Sequence, residues 1–148
     1  DYVYLQKMRF GERITCTFDC APETEAELVP SFALQPLIEN SIVHGLAAKP
    51  EGGKIYVRTW MERGHVILSV ADTGVGIPAE IRLALRLGQE DKTGVGLGNI
   101  YRRIHSMCED GQFFIDSREN CGTVIRLSFL ASGKRGGEKE GGDGTCTR

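Results

Sequence analysis

Two short glycine-rich segments are the part of the sequence best suited to hold a small ligand. The first, DTGVGIP, spans residues 72–78, and the second, GVGLGN, spans residues 94–99. Glycine has no Cβ and permits positive φ, so a ligand can approach the backbone closely at such positions. A helix predicted to begin at Leu97 would present unpaired backbone N–H groups, which favour phosphate. Together the segments predict a site for a phosphorylated ligand, although either one alone is more typical of an ordinary turn.

Neither segment matches the two common glycine motifs of nucleotide-binding proteins. The sequence contains no GK[ST] element of a P-loop, and Asn99 stands where the dinucleotide motif GxGxxG has its last glycine. Both of those nucleotide-binding folds are therefore excluded.

Asp72 directly follows the apolar run VILSVA, which predicts a partly buried carboxylate. Such a group is costly to bury unless it has hydrogen-bond donors. The amino group of adenine would supply a donor, whereas guanine has a carbonyl oxygen at that position and would oppose two acceptors. An Asx-turn ahead of Gly74 is the alternative interpretation, and the sequence leaves it open.

Asn40 and His44 are four residues apart on a predicted helix and border its apolar stripe. Both side chains can therefore face the same edge of a sheet. An amide oxygen suits Mg²⁺, which usually shares its coordination shell with phosphates and waters. Asn40 is thus a candidate magnesium ligand and His44 a candidate ligand contact, unless His44 simply ends the helix beside Gly45.

Hydrophobic periodicity predicts the elements that position these residues. The predicted strands are residues 13–20, 54–63, 65–72, 112–117 and 123–130, and the predicted helices are residues 2–8, 28–48, 79–87 and 97–108. Pro36 either opens the regular part of the second helix or kinks it. Because strands and helices do not alternate regularly, we predict an α+β fold with a mixed, mostly antiparallel sheet and helices on one face.

Composition narrows the class of protein. The 148 residues, 41% of them hydrophobic, fit one domain with an ordinary core. The 18 basic and 20 acidic residues nearly balance, so no strong field favours nucleic acid as a partner. Five scattered cysteines do not resemble a disulfide framework and indicate a reducing compartment. No apolar run approaches the roughly 20 residues of a membrane span, and the tail at 132–148 is predicted to be disordered.

Four segments in chain order resemble the nucleotide-binding boxes of the GHKL ATPase superfamily. They are LQPLIENSIVHG, ADTGVGIP, KTGVGLGNIYRRI and CGTVIRL. The LQPLIENS and GVGLGNIYRRI forms look like those of LytS/YesM-type sensor histidine kinases. The resemblance covers residues 1–131, and it implies a Bergerat-type α/β sandwich at 13–131, preceded at 1–12 by the end of a linker helix.

The resemblance also implies ATP and Mg²⁺ as cofactors and a set of contacts. Asn40 would hold Mg²⁺, Asp72 would accept from the adenine amino group, and Thr123 would lie near the base. The complete set of predicted ATP-binding residues is Asn40, His44, Asp72, Gly74, Gly76, Ile77, Lys92, Gly94, Gly96, Leu97, Gly98 and Thr123. The γ-phosphate would pass to a histidine outside the chain, because none of its three histidines lies in a phosphoacceptor-like sequence.

The implied setting is the cytoplasmic part of a membrane-anchored sensor kinase. Its partners would be an upstream dimerisation and phosphoacceptor domain, a second copy in the full-length homodimer, and a response regulator. Two residues depart from the superfamily pattern: Val43 replaces a common lysine, with Lys92 a possible substitute, and Pro36 replaces a base glutamate, with Glu39 nearby. These two departures leave a degenerate nucleotide-binding module open as an alternative. A serine kinase of the anti-sigma-factor type, also a single domain of similar size, is the other alternative.

Overall fold

Five strands form one mixed sheet in the computed structural model, which describes residues 11–27, 31–87, 89, 95–107 and 110–131. The strands are β1 (Ile14–Cys20), β2 (Gly53–Glu62), β3 (His65–Asp72), β4 (Gln112–Arg118) and β5 (Gly122–Leu130). Their order across the sheet is β1-β2-β3-β5-β4. β1 and β2 are parallel, and the other pairs are antiparallel. The predicted mixed, mostly antiparallel sheet is confirmed.

Within the described residues, the helices are α1 (Ser31–Asn40), α2 (Ala79–Arg86) and α3 (Val95–Met107). α1 continues directly into a π-helical segment, Ser41–Leu46. There the N–H of Ala47 donates to the carbonyl oxygen of Ile42, five residues back, at 2.8 Å. Pro36 lies inside α1 rather than at its start. The wider π turn is of a kind that often accompanies functional sites, and it lies directly after Asn40.

The hydrophobic core lies between these helices and one face of the sheet. Strand residues alternate between faces, so Val66, Leu68 and Val70 of β3 point into the core and are at most 2% exposed. Asp72 continues this row and therefore faces the core side as well. α1 contributes Leu37, with no exposed surface, and α1 packs against α3. The site residues are thus held at one end of a well-packed sheet.

Several boundaries differ from the predictions or fall outside the described residues. α3 begins at Val95, not Leu97, so Gly96 lies in its first turn and not in a preceding loop. Gly11–Arg13 forms a short 3₁₀ turn ahead of β1. The predicted helix at 2–8 and the tail at 132–148 lie outside the described residues. Within the described part of the chain, no helix has both the length and the apolar character needed to cross a membrane.

Candidate functional site

Asp72 ends β3 as a buried carboxylate surrounded by donors. Asp72 is only 8% exposed. The N–H of Gly74 donates to Oδ1 at 2.8 Å, and the Ser41 hydroxyl and the Thr123 backbone N–H donate as well. An ionised carboxylate offers about four acceptor positions, which is more than these donors use.

The Gly74 contact is the Asx-turn that the sequence left open as an alternative. The turn does not account for the whole environment, because Ser41 and Thr123 come from distant parts of the chain. The expectation that Asp72 would be partly buried and would have hydrogen-bond donors is therefore confirmed.

Burial raises the pKa of Asp72 above its ordinary value of 3.8. Hydrogen bonds from Gly74, Ser41 and Thr123 and the positive charge of Lys49 act in the opposite direction and offset this only in part. Lys49 is placed by a hydrogen bond from Nζ to the Thr73 carbonyl oxygen at 2.9 Å. The site therefore keeps a carboxylate whose charge is costly, which favours a ligand that can donate to it.

We expect Asp72→Asn to change how the stability of the domain depends on pH. Because the folded pKa is raised, the contribution of Asp72 is fully present below pH 3.8 and is lost as pH rises through the folded value. The difference in unfolding free energy, wild type minus variant, should therefore fall as pH rises from 3.8 through the folded pKa. Above the folded pKa the difference should stay constant. Urea denaturation from about pH 3 to about pH 7 measures this difference.

Asp116→Asn is the matched control, because Asp116 is an exposed aspartate on β4. A difference between Asp72→Asn and the wild type that does not vary with pH would contradict the raised pKa.

Three glycines pack directly against Asp72 or against one another. A Cβ on Gly45 would lie 3.0 Å from Oδ1 of Asp72. A Cβ on Gly74 would overlap the backbone of Gly45, and one on Gly122 would overlap the carbonyl oxygen of Asp72. Gly122 also has φ +90°, which L side chains rarely adopt. These positions need glycine because three backbone segments meet at the end of β3.

The loop after Asp72 is fastened on two sides. On one side, the N–H of Val75 donates to the carbonyl oxygen of Gly45 at 2.9 Å. On the other, the N–H of Asn120 donates to the carbonyl oxygen of Val75 at 2.7 Å, and the N–H of Ile77 donates to Ser117 Oγ at 2.8 Å. The loop therefore links the π-helical segment to the turn between β4 and β5.

Ser117 is a buried polar residue that the sequence analysis did not select. It is 4% exposed, and its hydroxyl contacts the Gly122 carbonyl oxygen and the Thr123 hydroxyl, each at 2.9 Å. A signal was present, since Ser117 occupies the next core-facing position after Phe113 and Ile115 in the alternation of β4. A serine at such a position must find partners.

The structure brings together part of the predicted site. Asp72, Gly74 and Thr123 are joined by hydrogen bonds, and Ile77 is connected to Thr123 through Ser117. Gly76 adopts φ +76° against the backbone of Arg118. The loop and the β4–β5 hairpin therefore form one hydrogen-bonded unit around Asp72.

The other described residues of the predicted site lie on α1, on its π-helical continuation and on α3. Asn40 is half-buried at the end of α1, and His44 is exposed in the π-helical segment. This helix reaches Asp72 through Ser41 and Gly45, which sequence reasoning missed as site residues. Gly96, Leu97 and Gly98 lie in the first turn of α3, whereas the predicted contacts Lys92 and Gly94 lie outside the described residues.

Comparison with known proteins identifies the family. The sequence profile of the histidine kinase-, DNA gyrase B-, and HSP90-like ATPases matches residues 28–133. The chain belongs to this family. The match includes the whole segment from α1 to β5, and with it every described residue assigned to the site.

Sensor kinases are similar to this ATPase domain in sequence. It is 33% identical over 132 residues to the sensor protein LytS of Enterococcus faecalis, covering 86% of the chain and 22% of LytS. It is 34% identical over 103 residues to the sensor histidine kinase YesM of Bacillus subtilis, covering 70% of the chain and 17% of YesM. The chain thus spans about a fifth of the length of these relatives, and it is an ATPase domain of the kind that sensor histidine kinases carry.

Solved structures confirm the fold of this ATPase domain. The histidine kinase domain of the blue-light-activated kinase EL346 from Erythrobacter litoralis superimposes with a TM-score of 0.66 at 15% identity, over 89% of this chain and 58% of that one. The catalytic domain of histidine kinase ThkA gives 0.62 at 23% identity, over 87% of each chain. The predicted α/β sandwich is therefore confirmed.

Proposed function

We propose that this domain binds ATP together with Mg²⁺ and transfers the γ-phosphoryl group to a histidine in another part of the full-length protein. The observation that carries the proposal is the buried Asp72 carboxylate, whose charge is costly and whose protein donors use only part of its acceptor capacity. It lies beside the helix that ends in Asn40. Family membership supplies the ATPase character, and the following contacts support the finer assignment.

The surroundings of Asp72 fit an adenine base. The remaining acceptor capacity suits an exocyclic amino group, whereas a guanine carbonyl oxygen would face the carboxylate with no proton between them. Gly45 packs directly against the Asp72 carboxylate and Gly74 packs against Gly45, so the backbone holds the carboxylate in place. Gly76, Ile77 and Thr123 complete the base side of the proposed pocket.

The first turn of α3 fits the phosphates. Its leading N–H groups have no partner within the helix and lie at the positive end of the helix dipole. Gly96, Leu97 and Gly98 occupy this turn, and Leu97 and Gly98 are buried at its base. Lys92 and Gly94 precede the turn in sequence and remain proposed contacts.

Asn40 fits Mg²⁺ as a contributor of one oxygen ligand. Mg²⁺ typically takes one or two protein ligands and fills its shell with phosphate oxygens and waters. Consistent with this, the described residues contain no cluster of three or more His, Cys, Asp or Glu side chains that could hold a metal alone. When bound, Mg²⁺ would neutralise charge on the transferring phosphoryl group.

The environment of Glu39 favours transfer to an external acceptor over hydrolysis by the domain alone. Glu39 Oε1 accepts a hydrogen bond from Gln35 Nε2 at 3.0 Å on the surface of α1. This contact is typical of two solvent-exposed side chains four residues apart on one helix. It is not typical of a general base that activates a water molecule. Pro36, inside α1, has no side chain that can take a proton. Phosphoryl transfer depends mainly on positioning and charge neutralisation, so the site suits a histidine acceptor supplied from elsewhere.

The proposed partners follow from the separation of the ATP site from the phosphoacceptor histidine. An upstream dimerisation and phosphoacceptor segment, joined through residues 1–12, would present the histidine within a homodimer. A response regulator would then receive the phosphoryl group. Since relatives are named sensor proteins, we place the domain on the cytoplasmic side of a membrane-anchored sensor.

Label transfer tests the proposed reaction. With γ-³²P-ATP and Mg²⁺, protein extended upstream through its phosphoacceptor segment should acquire acid-labile, base-stable label, as phosphohistidine does. Asn40→Ala should reduce the initial rate by at least about tenfold, because loss of a contact to a charged group costs about 1.5–3 kcal/mol. Gln35→Ala, at an exposed amide on the same helix, should retain the wild-type rate.

Other outcomes would identify the alternatives. Acid-stable label on a partner serine would indicate a serine kinase. Absence of label in a protein that binds ATP would indicate a degenerate module, for which the exposed Val43 and the helical Pro36 are the relevant departures.

A further inference from the structure

We infer that Ser117 determines the base preference of the site by fixing the direction of the Thr123 hydroxyl. The inference rests on the proposed adenine pocket and assigns a positioning role to a residue that lies behind it. Ser117 is on β4, whereas Asp72 is two strands away on β3. Thr123 of β5 lies between them and is the strand partner of both.

The number of protons at Ser117 carries the argument. A serine hydroxyl has one proton to donate and two lone pairs. Ser117 Oγ accepts from the Ile77 N–H at 2.8 Å, so that contact uses a lone pair. The Gly122 carbonyl oxygen, 2.9 Å away, can only accept, so that contact uses the single proton. The third contact, with Thr123 Oγ1 at 2.9 Å, must then be donated by Thr123.

Thr123 therefore has no hydroxyl proton left for a ligand. The opposite arrangement, with Ser117 donating to Thr123, would place two oxygen lone pairs against each other at the Gly122 carbonyl. Thr123 is 5% exposed, so water cannot readily relieve such a conflict. The side-chain donor to Asp72 is Ser41, and Thr123 donates to Asp72 through its backbone N–H, which leaves its hydroxyl proton for Ser117.

The edge of the pocket consequently presents acceptors side by side. The Asp72 carboxylate accepts, and Thr123 Oγ1 shows only lone pairs to any group beside it. A purine with an amino group at C6 supplies protons to such an edge. A purine with a carbonyl at C6 would meet oxygen with oxygen at both residues, which a polar site penalises strongly. Ser117 thus engages the Thr123 hydroxyl proton, which could otherwise turn toward the carbonyl.

The test compares non-hydrolysable analogues of ATP and of inosine triphosphate, which differ at purine C6 and in protonation at N1. Calorimetric titrations with Mg²⁺ give the ratio of their dissociation constants. We expect Ser117→Ala to reduce the preference for the adenine analogue by about three- to tenfold, the range of one neutral hydrogen bond. Most of the change in the ratio should come from tighter binding of the inosine analogue.

A double-mutant cycle shows whether Ser117 acts through Thr123. Thr123→Val removes the hydroxyl itself and should also lower the preference. Adding Ser117→Ala to Thr123→Val should produce no further change in the ratio. If Ser117→Ala does not fold, Ser117→Cys provides a side chain of similar size with a much weaker donor and acceptor. The same change in the ratio of the two dissociation constants is expected for it.

The possible failures are distinguishable. Wild-type protein that is folded but binds neither analogue would refute the proposed function and the inference together. Wild-type protein that prefers the adenine analogue, with Ser117→Ala weakening both analogues equally, would refute the inference alone and leave Ser117 as a structural residue. The inference would also be refuted if Ser117→Ala lowered the preference equally in the wild-type and Thr123→Val backgrounds. The effect would then not pass through the threonine hydroxyl.

Discussion

Asp72→Asn is expected to lower the affinity of the domain for a non-hydrolysable ATP analogue by about 10- to 100-fold, the range for losing a hydrogen bond to a charged group. The Gly74 N–H donates to Oδ1 at 2.8 Å, so the amide oxygen of the new asparagine must take that position. Its NH₂ group then faces the remaining donors and the base. Two donors would oppose each other where the wild type has a donor and an acceptor.

Isothermal calorimetry with Mg²⁺ measures this loss of affinity. The same titration with the inosine analogue shows whether the loss depends on the group at purine C6. A carbonyl at purine C6 can accept from the asparagine NH₂ group, so Asp72→Asn should lose less affinity for the inosine analogue than for the adenine analogue. Asp116→Asn makes the same chemical change at an exposed position on β4, and it should leave both affinities unchanged. Unaltered ATP affinity in a folded Asp72→Asn protein would show that the carboxylate does not contact the base.

This result is separable from the effect of the same substitution on folding. Because burial raises the pKa of Asp72, the ionised carboxylate is a cost to the folded protein at neutral pH. A variant that keeps its fold but loses ATP would therefore indicate a residue retained for binding, since sites often sacrifice stability for function.

Much of the fold could be predicted from the sequence because it rests on local periodicity. The two antiparallel hairpins followed from alternating strands around short turns, with Gly64 at φ 82° in the first. Asp72 was placed correctly because it continues the apolar alternation of β3. In both cases the signal lies within about ten neighbouring residues, which is the range that pattern reasoning covers.

The missed site residues depend on contacts between distant segments. Ser117 contacts Ile77, 40 residues away in sequence, and neither position belongs to a motif that names the other. Gly45 contacts Asp72 where the π-helical segment meets the end of β3. Periodicity cannot show which helix end meets which strand end, so these residues became visible only with the fold.

The start of α3 shows a smaller limit of the same kind. Closely spaced glycines are typical of turns, so the sequence predicts a loop through Gly96 and a helix from Leu97. In the structure the helix begins at Val95 and includes Gly96 and Gly98. Packing of buried Leu97 and Ile100 against the core outweighs the propensity of two glycines.

Gly122→Ala is expected to cost about 3 kcal/mol or more of folding stability, because it combines a strained backbone with an overlap that cannot relax locally. Gly122 has φ +90°, and its Cβ would overlap the carbonyl oxygen of Asp72. Relief requires β3 and β5 to separate where Asp72 pairs with Thr123. Urea denaturation measures the loss, and the remaining folded protein should also bind the ATP analogue more weakly.

Gly64→Ala separates the two contributions to this loss. Gly64 has a similar φ of 82° but lies in the turn before β3, at the opposite end of that strand from Asp72. It should therefore show the cost of the backbone conformation, about 1 kcal/mol, with unchanged nucleotide affinity. Equal destabilisation by both substitutions would mean that the strands can yield at Gly122. The junction of β3 and β5 would then be too soft to hold Asp72 and Thr123 in the fixed relation that the base preference requires.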